Sequence, residues 1–219
     1  MNRFWSRRIQ SIVPYTPGEQ PKDRKFIKLN TNECPEQPSA QVLEAVRAAA
    51  AELPRYPDPE CGSLRAAIAG REGLDVDQVF CGNGSDEVLA FAFQAFFDPD
   101  REVVFPRITY SFYPVYASFF GLKYREIPMN SDFSIPVEQL CGGNGGVVLA
   151  NPNAPTGIAL DLGQVERIVA ANPEAVVIVD EAYVDFGAQS AVGLIGRYPN
   201  LLVVQTASKS RALAGLRVG

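Results

Sequence analysis

The sequence contains no histidine, and this absence excludes several kinds of chemistry. Ser-His-Asp triads, Cys-His dyads and His-ligated zinc sites all need an imidazole, the side chain that changes charge near neutral pH. Proton transfer within these 219 residues would therefore depend on Lys, Asp, Glu, Tyr or Cys. We expect no metal site in this sequence.

The sequence also lacks long apolar runs, dense basic runs and closely paired cysteines. No apolar stretch reaches the length that spans a membrane, and the arginines near the N-terminus lack the apolar run of a signal peptide. The net charge of −5 argues against a nucleic-acid-binding surface. Four widely spaced cysteines are typical of free thiols in a reducing compartment. We therefore expect a cytoplasmic protein with no membrane and no nucleic-acid partner.

Strand-like and helix-like segments alternate along the chain. The predicted strands lie at residues 103–105, 123–127, 146–150, 176–179 and 201–205. The predicted helices lie at residues 39–53, 61–70, 85–97, 110–120 and 161–171. Strands that are apolar on both faces and separated by helices predict an α/β fold, with a mainly parallel sheet between two helical layers in an α-β-α arrangement.

The most informative segment runs from Thr206 to Gly219 and reads T-A-S-K-S-R-A-L-A-G-L-R-V-G. Lys209 follows an apolar strand, and a lysine near an apolar sheet reaches its neutral, nucleophilic form more easily, so it can condense with an aldehyde. The neighbouring hydroxyls and Arg217 suit a phosphate. Together they indicate an aldehyde-bearing phosphorylated cofactor such as pyridoxal phosphate. The alternative is a surface Ser-Lys-Ser turn.

Three further segments follow predicted strands or open a helix, where ligands of parallel sheets bind. Residues 81–87 read C-G-N-G-S-D-E, which suits a phosphate at a helix start or an ordinary capped helix. Residues 151–157 read N-P-N-A-P-T-G. The two prolines indicate a rigid loop that could hold polar side chains over a ring, and the alternative is a plain turn between a strand and a helix. Asp180 could pair with a protonated pyridine nitrogen and Tyr183 could reach a ring hydroxyl, or the acidic residues could simply end the strand in solvent.

The order of these four segments resembles the fold-type I pyridoxal-phosphate aminotransferases. Within them, the chain is most similar to the histidinol-phosphate aminotransferase family, over about residues 12–219. That similarity rests on Y-T-P-G at 15–18, L-N-T-N-E at 29–33, R-Y-P-D at 55–58 and Tyr110. The resemblance implies a fold-type I large domain at residues 36–219, which binds pyridoxal phosphate, preceded by an N-terminal arm at residues 1–35.

The resemblance implies a role for each candidate residue around the cofactor ring. Lys209 would form a Schiff base with the cofactor and later shuttle a proton. Asp180 would pair with the pyridine nitrogen, Tyr183 would bond the ring oxygen, and Tyr110 would stack on the ring face.

The resemblance also implies which residues hold the phosphate and the substrate. The phosphate set, with the first three members acting mainly through backbone amides, is Ser85, Asp86, Glu87, Thr206, Ser208 and Arg217. Tyr56 would reach across a homodimer interface to the partner's cofactor phosphate. Tyr15 and Asn32 would face the substrate.

The sequence departs from the family pattern in two places. Ala154 stands where the family has an asparagine that bonds the ring oxygen, so Asn153 or Asn151 would have to replace it. The chain also stops at Gly219, whereas the family continues into a small C-terminal domain that carries the arginine for the substrate carboxylate. We therefore expect an N-terminal portion that is inactive alone.

Three functions remain open from the sequence. The first is an aminotransferase that acts on histidinol phosphate, the amino donor, and 2-oxoglutarate, the 2-oxo acid acceptor, in histidine biosynthesis. The second is a related pyridoxal-phosphate enzyme, either an aromatic aminotransferase or a threonine-phosphate decarboxylase. The third is a pyridoxal-phosphate-binding fragment without turnover.

Overall fold

The computed structural model describes residues 3–10, 12, 19, 21, 23, 27–142 and 145–219. The chain divides into two compact units. The first comprises Leu89–Gln205 with the described residues before Glu33, and the second comprises Glu33–Val88 with Thr206–Gly219. The division into an arm at residues 1–35 and a domain at residues 36–219 stays a prediction.

The first unit is built on a five-stranded sheet in which every neighbouring pair of strands is parallel. The strands are β1 (Val103–Pro106), β2 (Tyr124–Ile127), β3 (Gly146–Ala150), β4 (Val177–Asp180) and β5 (Leu201–Val204). Their order across the sheet is β2-β1-β3-β4-β5. The predicted parallel sheet with flanking helices is therefore confirmed.

The burial of each strand explains how apolar its sequence is. Every residue of β1, β3 and β4 is buried, so both faces of these inner strands are apolar. The edge strand β2 begins with Tyr124 and Arg125, which are both exposed. The sequence pattern of each strand thus reports its place in the sheet.

Six α-helices lie in the described part of the chain. They are α1 (Arg7–Gln10), α2 (Ala40–Ala49), α3 (Gly62–Glu72), α4 (Ser85–Phe96), α5 (Tyr113–Phe120) and α6 (Leu162–Ala170). Asp161 caps α6 by accepting the Gln164 N–H at 2.8 Å, and Val165 and Ile168 of that helix are buried in the core of the first unit. No described helix has both the length and the apolar character needed to cross a membrane.

Helix α5 begins at Tyr113, three residues later than the predicted start at Tyr110. Pro114 lies in its first turn, where a missing N–H costs no intrahelical hydrogen bond. The proline is compatible with the helix only near its start, so the preceding residues form a turn after β1. The predicted start of this helix at residue 110 is therefore wrong by three residues.

In the second unit, side chains cap the starts of helices α2 and α3. The Ser39 hydroxyl accepts the Val42 N–H at the start of α2. The Asp58 carboxylate accepts the Gly62 N–H at 2.7 Å at the start of α3, and this bond, with one from Glu60 N–H, lowers the pKa of Asp58.

Candidate active site

Polar residues of the first unit meet where three neighbouring strands end. Asn151 follows β3, and its N–H donates to the Asp180 carbonyl at 2.8 Å. Glu181 follows β4, and its N–H donates to the Val204 carbonyl at 2.7 Å. The carboxyl ends of β3, β4 and β5 therefore lie side by side at one end of the strands, which is where open α/β sheets bind ligands.

Asp180 is the last residue of β4, and only 5% of its surface is exposed. Its Oδ2 accepts the Tyr113 hydroxyl at 2.8 Å, and its Oδ1 accepts the Ala182 N–H at 3.1 Å. The carboxylate therefore does not end the strand in solvent. A buried carboxylate needs donors of this kind, because desolvation without them costs several kcal/mol.

Tyr113, which sequence reasoning missed, is completely buried beside Asp180. Burial raises the pKa of the Tyr113 hydroxyl well above its ordinary value, and the Asp180 charge raises it further. The phenol therefore stays protonated at neutral pH and donates a hydrogen bond to the carboxylate. A signal was available in the aromatic spacing of residues 110–116, but that spacing also fits an ordinary buried helix face.

The structure brings Asn32 and Tyr183 together, although 151 residues separate them. The Asn32 Nδ2 donates to the Tyr183 hydroxyl at 2.9 Å. Asn32 has a positive φ of 52°, a conformation that asparagine tolerates better than most residues. The predicted cofactor contact of Tyr183 and substrate contact of Asn32 stay predictions, but the two side chains form one hydrogen-bonded pair.

Asn153 is 1% exposed, and its side-chain amide holds the loop after β3. Its Nδ2 donates to the Ile108 carbonyl at 2.8 Å and to Thr156 Oγ1 at 3.1 Å, while its Oδ1 accepts the Thr109 hydroxyl at 2.8 Å. One amide hydrogen thus bonds the segment after β1, and the other stays within the loop after β3. A bond donated by Asn153 to a cofactor ring would replace one of these two.

Asn151 also uses its side chain to shape this loop. It accepts the Leu160 N–H at 2.8 Å and donates to the Leu160 carbonyl at 3.2 Å. These two bonds close the loop across Ala154, the position at which the sequence departs from the family pattern. The replacement of the usual asparagine by Asn153 or Asn151 as the partner of the ring oxygen therefore stays a prediction.

Tyr110 follows β1 and lies among other aromatic rings. Its ring is edge-on to Tyr113 at 5.6 Å and stacked with Phe112 at 5.6 Å. Such contacts restrict the ring to one orientation. The prediction that Tyr110 stacks on the cofactor stays a prediction, and the structure provides a rigid aromatic side chain for it.

Glu181 is a second buried carboxylate that sequence reasoning did not single out. It is 1% exposed and accepts the Ser190 hydroxyl at 2.7 Å, the Ala191 N–H at 2.6 Å and the Gln205 amide at 2.9 Å. These donors come from the segment after β4 and from the end of β5. Glu181 therefore braces the chain directly beside Asp180.

Replacing Glu181 with alanine is expected to lower the free energy of unfolding by about 3 kcal/mol, because one buried and two partly buried donors lose their acceptor. Chemical denaturation measures the change. The control is Glu138→Ala, since Glu138 forms an exposed ion pair with Arg167 and its loss should cost less than about 1 kcal/mol. Equal effects of the two substitutions would show that the Glu181 network contributes little.

In the second unit, the end of the Lys209 segment is bonded to the loop before α4. The Gly82 N–H donates to the Gly219 carbonyl at 2.9 Å, and the Gly219 N–H donates to the Gly82 carbonyl at 3.2 Å. A Cβ at Gly219 would collide with the backbone of Gly84 and Ser85. Two segments that are far apart in sequence therefore touch backbone to backbone at the start of a helix.

Arg217 lies over Gly84 at the same helix start. Gly84 has a φ of +86°, and a Cβ there would lie 2.5 Å from Arg217 Nη2. The Arg217 guanidinium is also 3.5 Å from the Asp86 carboxylate, in a partly exposed ion pair. A guanidinium beside the positive end of a helix dipole is a strong arrangement for an anion such as a phosphate.

Thr206 and Ser208 are both buried in this unit. Thr206 Oγ1 is 3.0 Å from Ser208 Oγ, accepts the Ser208 N–H at 3.2 Å and is 3.2 Å from the Val218 carbonyl. Lys209, the next residue, is half-buried. The two hydroxyls and the lysine are therefore held on a well-defined loop rather than on a freely exposed turn.

The two remaining predicted site residues are Tyr56 and Tyr15. The Tyr56 side chain is fully exposed at 101%. Tyr15 lies outside the described residues. Their predicted contacts with a partner's phosphate and with the substrate stay predictions.

Gly84→Ala is expected to destabilise the protein by about 1 kcal/mol, since alanine is strained at a positive φ, and to move the Arg217 guanidinium. Phosphate affinity should fall at the same time, which isothermal titration with inorganic phosphate measures. The control is Gly70→Ala on α3, where a Cβ meets nothing within 4 Å and alanine favours the helix. A Gly84→Ala protein that keeps parental stability and affinity would contradict this account of the loop.

Comparison with known proteins adds an independent observation. A family model described as "Aminotransferase class I and II" matches residues 24–219. Curated histidinol-phosphate aminotransferases from Acinetobacter baumannii (strain SDF) and Acetobacter pasteurianus are each 58% identical to the chain, over 99% and 100% of it. The chain spans 61% and 62% of the length of these two relatives.

Solved structures show the same fold. An aminotransferase from Mycobacterium tuberculosis has a TM-score of 0.73 at 28% identity, over 86% of this chain and 57% of that one. The histidinol-phosphate aminotransferase from Sinorhizobium meliloti, in complex with pyridoxal-5'-phosphate, has a TM-score of 0.85 over 100% of this chain and 62% of that one. At 24% identity, the second likeness concerns the fold alone.

Proposed function

The chain belongs to the class I and II aminotransferase family, and we propose that it carries the cofactor-binding residues of a pyridoxal-phosphate enzyme that moves the amino group of histidinol phosphate to 2-oxoglutarate. The observation that carries this proposal is the 58% identity, over the whole chain, with relatives named histidinol-phosphate aminotransferase. That identity favours histidinol phosphate over an aromatic amino acid or threonine phosphate as the substrate.

The residues at the start of α4 fit the cofactor's phosphate. A dianion suits a helix N-terminus beside a guanidinium, and Gly84 lets the backbone approach closely. Arg217 would bind the phosphate as a fork of two N–H donors, in exchange for its weak contact with Asp86. Thr206 and Ser208 would add hydroxyl donors, and Ser85, Asp86 and Glu87 would contribute mainly backbone amides.

The residues at the strand ends fit the cofactor's ring. The buried Asp180 carboxylate would keep the pyridine nitrogen protonated, because its negative charge stabilises the positive charge of the protonated ring. Tyr183, steadied by Asn32, would donate to the ring oxygen. Tyr110 would cover one face of the ring and exclude water.

Lys209 would hold the cofactor through its ε-amine and, when that amine is free, would carry a proton at Nζ. The cofactor, when bound, supplies an electron sink for negative charge at the substrate carbon. In a sequence without histidine, a lysine is a group that can both attack an aldehyde and move a proton. This double use is consistent with the single lysine in the segment after β5.

Homodimer formation and a cytoplasmic location belong to the same proposal. The exposed Tyr56 side chain supports a role across a subunit interface, since it projects into solvent in the single chain. All four cysteines are free, as expected for a reducing compartment. Analytical ultracentrifugation tests the dimer, and a purely monomeric species at micromolar concentration would contradict it.

Substrate tests separate the proposed reaction from related ones. The full-length protein that contains this chain is loaded with pyridoxal phosphate and mixed with L-histidinol phosphate and 2-oxoglutarate, and glutamate is measured. We expect a higher kcat/KM for histidinol phosphate than for phenylalanine, and no carbon dioxide from threonine phosphate. Preference for phenylalanine, or decarboxylation of threonine phosphate, would contradict the proposed substrate while leaving the cofactor assignment in place.

A further inference from the structure

We propose that Tyr113 is a positioning residue: its hydroxyl, donated to Asp180 Oδ2, fixes the orientation and the charge of the carboxylate that faces the cofactor's pyridine nitrogen. This inference rests on the proposed function, because it takes Asp180 to be the partner of that nitrogen. Tyr113 itself does not touch the cofactor in this proposal. It acts through Asp180.

The Tyr113 ring is held on all sides, so its hydroxyl has one fixed place. It is the first residue of α5 and is completely buried. Its ring is stacked with Phe93 at 6.4 Å and edge-on to Phe105 at 5.9 Å and to Tyr110 at 5.6 Å. Aromatic packing of this kind restricts rotation of the side chain. The phenol oxygen is therefore a rigid anchor rather than an adaptable partner.

The Asp180 carboxylate is fixed at both oxygens. Tyr113 donates to Oδ2 at 2.8 Å, and the Ala182 N–H donates to Oδ1 at 3.1 Å. The backbone bond comes from the chain that leaves β4, whereas the phenol comes from a different element. Because these two donors approach from different directions, loss of the phenol would remove the restraint on Oδ2 and loosen the carboxylate plane.

The phenol also supports the charge of the carboxylate. A hydrogen bond donated to a carboxylate favours its ionised form, and this matters most where solvent is excluded, as it is at Asp180. Burial raises the pKa of the Tyr113 hydroxyl well above its ordinary value, so the donor keeps its proton at neutral pH. With the donor removed, a proton shared between the pyridine nitrogen and Asp180 would shift toward the carboxylate.

A double-mutant cycle on the full chain tests this role. The affinity for pyridoxal phosphate is measured for the parent, Tyr113→Phe, Asp180→Ala and the double variant. We expect Tyr113→Phe to weaken binding about tenfold in the parent, the usual effect of losing a hydrogen bond to a charged group. In the Asp180→Ala background the same substitution should have almost no effect, because its partner is gone.

A spectroscopic measurement distinguishes positioning from packing. With pyridoxal phosphate labelled with 15N in the ring, the nitrogen resonance reports whether that nitrogen is protonated. We expect a protonated position in the parent, an unprotonated one in Asp180→Ala, and a shift toward the unprotonated position in Tyr113→Phe. The matched control is Tyr116→Phe, one turn further along α5, which should leave both affinity and resonance unchanged.

A second variant at position 113 tests the role of the hydroxyl even where Tyr113→Phe does not fold. Incorporation of 3-fluorotyrosine at position 113 preserves the ring and the hydroxyl but makes the phenol a stronger donor. The nitrogen resonance should then move toward the protonated position, opposite to the shift in Tyr113→Phe. This shift relative to the parent can be measured even where Tyr113→Phe fails to fold.

The outcomes separate this inference from the function on which it rests. No binding of pyridoxal phosphate by the parent would overturn both. Parental binding with an effect of Asp180→Ala, but none of either Tyr113 variant, would overturn the inference alone. A tenfold loss in Tyr113→Phe that persists in the Asp180→Ala background would also overturn it, because Tyr113 would then act through packing.

Discussion

Lys209→Ala is expected to abolish covalent attachment of pyridoxal phosphate and, in the full-length protein that contains this chain, to lower the rate of transamination by about 10⁴-fold, the upper end of what a positioned proton-transfer group contributes. The substitution removes both the amine that attacks the cofactor's aldehyde and the group that moves the proton. Non-covalent binding through the phosphate residues should remain, since Arg217 and the start of α4 are untouched. Absorbance spectra of the loaded protein and steady-state rates measure the two effects.

Two control variants sharpen this expectation. Lys209→Arg keeps the positive charge but has a guanidinium that stays protonated, so it should be as inactive as the alanine variant. Lys123→Ala removes an exposed lysine just before β2 and should leave attachment and rate unchanged. A Lys209→Ala protein that retains covalent cofactor would show that another amine does this work.

In the full-length protein, Asp180→Ala is expected to lower kcat by about 10²- to 10³-fold while leaving cofactor binding weakened but detectable. The carboxylate keeps the pyridine nitrogen positively charged, and that charge matters most when negative charge develops at the substrate carbon. An interaction that strengthens in the transition state lowers kcat more than it lowers binding. The measurement compares kcat with the dissociation constant of pyridoxal phosphate in the same variant.

A nearby carboxylate provides the control for Asp180. Asp185 is exposed in the segment after β4, and Asp185→Ala should transaminate at the parental rate. Thermal unfolding of both variants shows whether the Asp180 effect comes from loss of structure. Parental turnover by a folded Asp180→Ala protein would mean that this carboxylate has been given the wrong role.

The sheet and most helices could be predicted because their signals are local. The wholly apolar Val177–Val179 stretch indicates a strand buried on both faces, and Ser39 and Asp161 mark the starts of their helices through side-chain caps. The error at α5 is local as well, since the predicted helix begins at residue 110, three residues before the observed start at Tyr113.

The partners of the buried polar groups could not be predicted in this way. Tyr113 meets Asp180 across 67 residues of sequence, and Asn32 meets Tyr183 across 151. Such contacts depend on which strands and helices become neighbours in the folded chain, so no spacing reveals them. The same reason explains why the bond from the Asn153 amide to the Ile108 carbonyl, 45 residues away, could not be foreseen, while the predicted contact of Asn153 with the cofactor ring stays a prediction.

Borohydride reduction of the protein loaded with pyridoxal phosphate, followed by peptide mapping, tests the central claim most directly. The reduction fixes the cofactor permanently on the amine that holds it, and mass spectrometry of the peptides identifies that amine. We expect a single stoichiometric adduct on Lys209, within the segment that follows β5. An adduct on Lys123 or Lys28 instead, or no adduct above the level of the Lys209→Ala protein, would contradict the account.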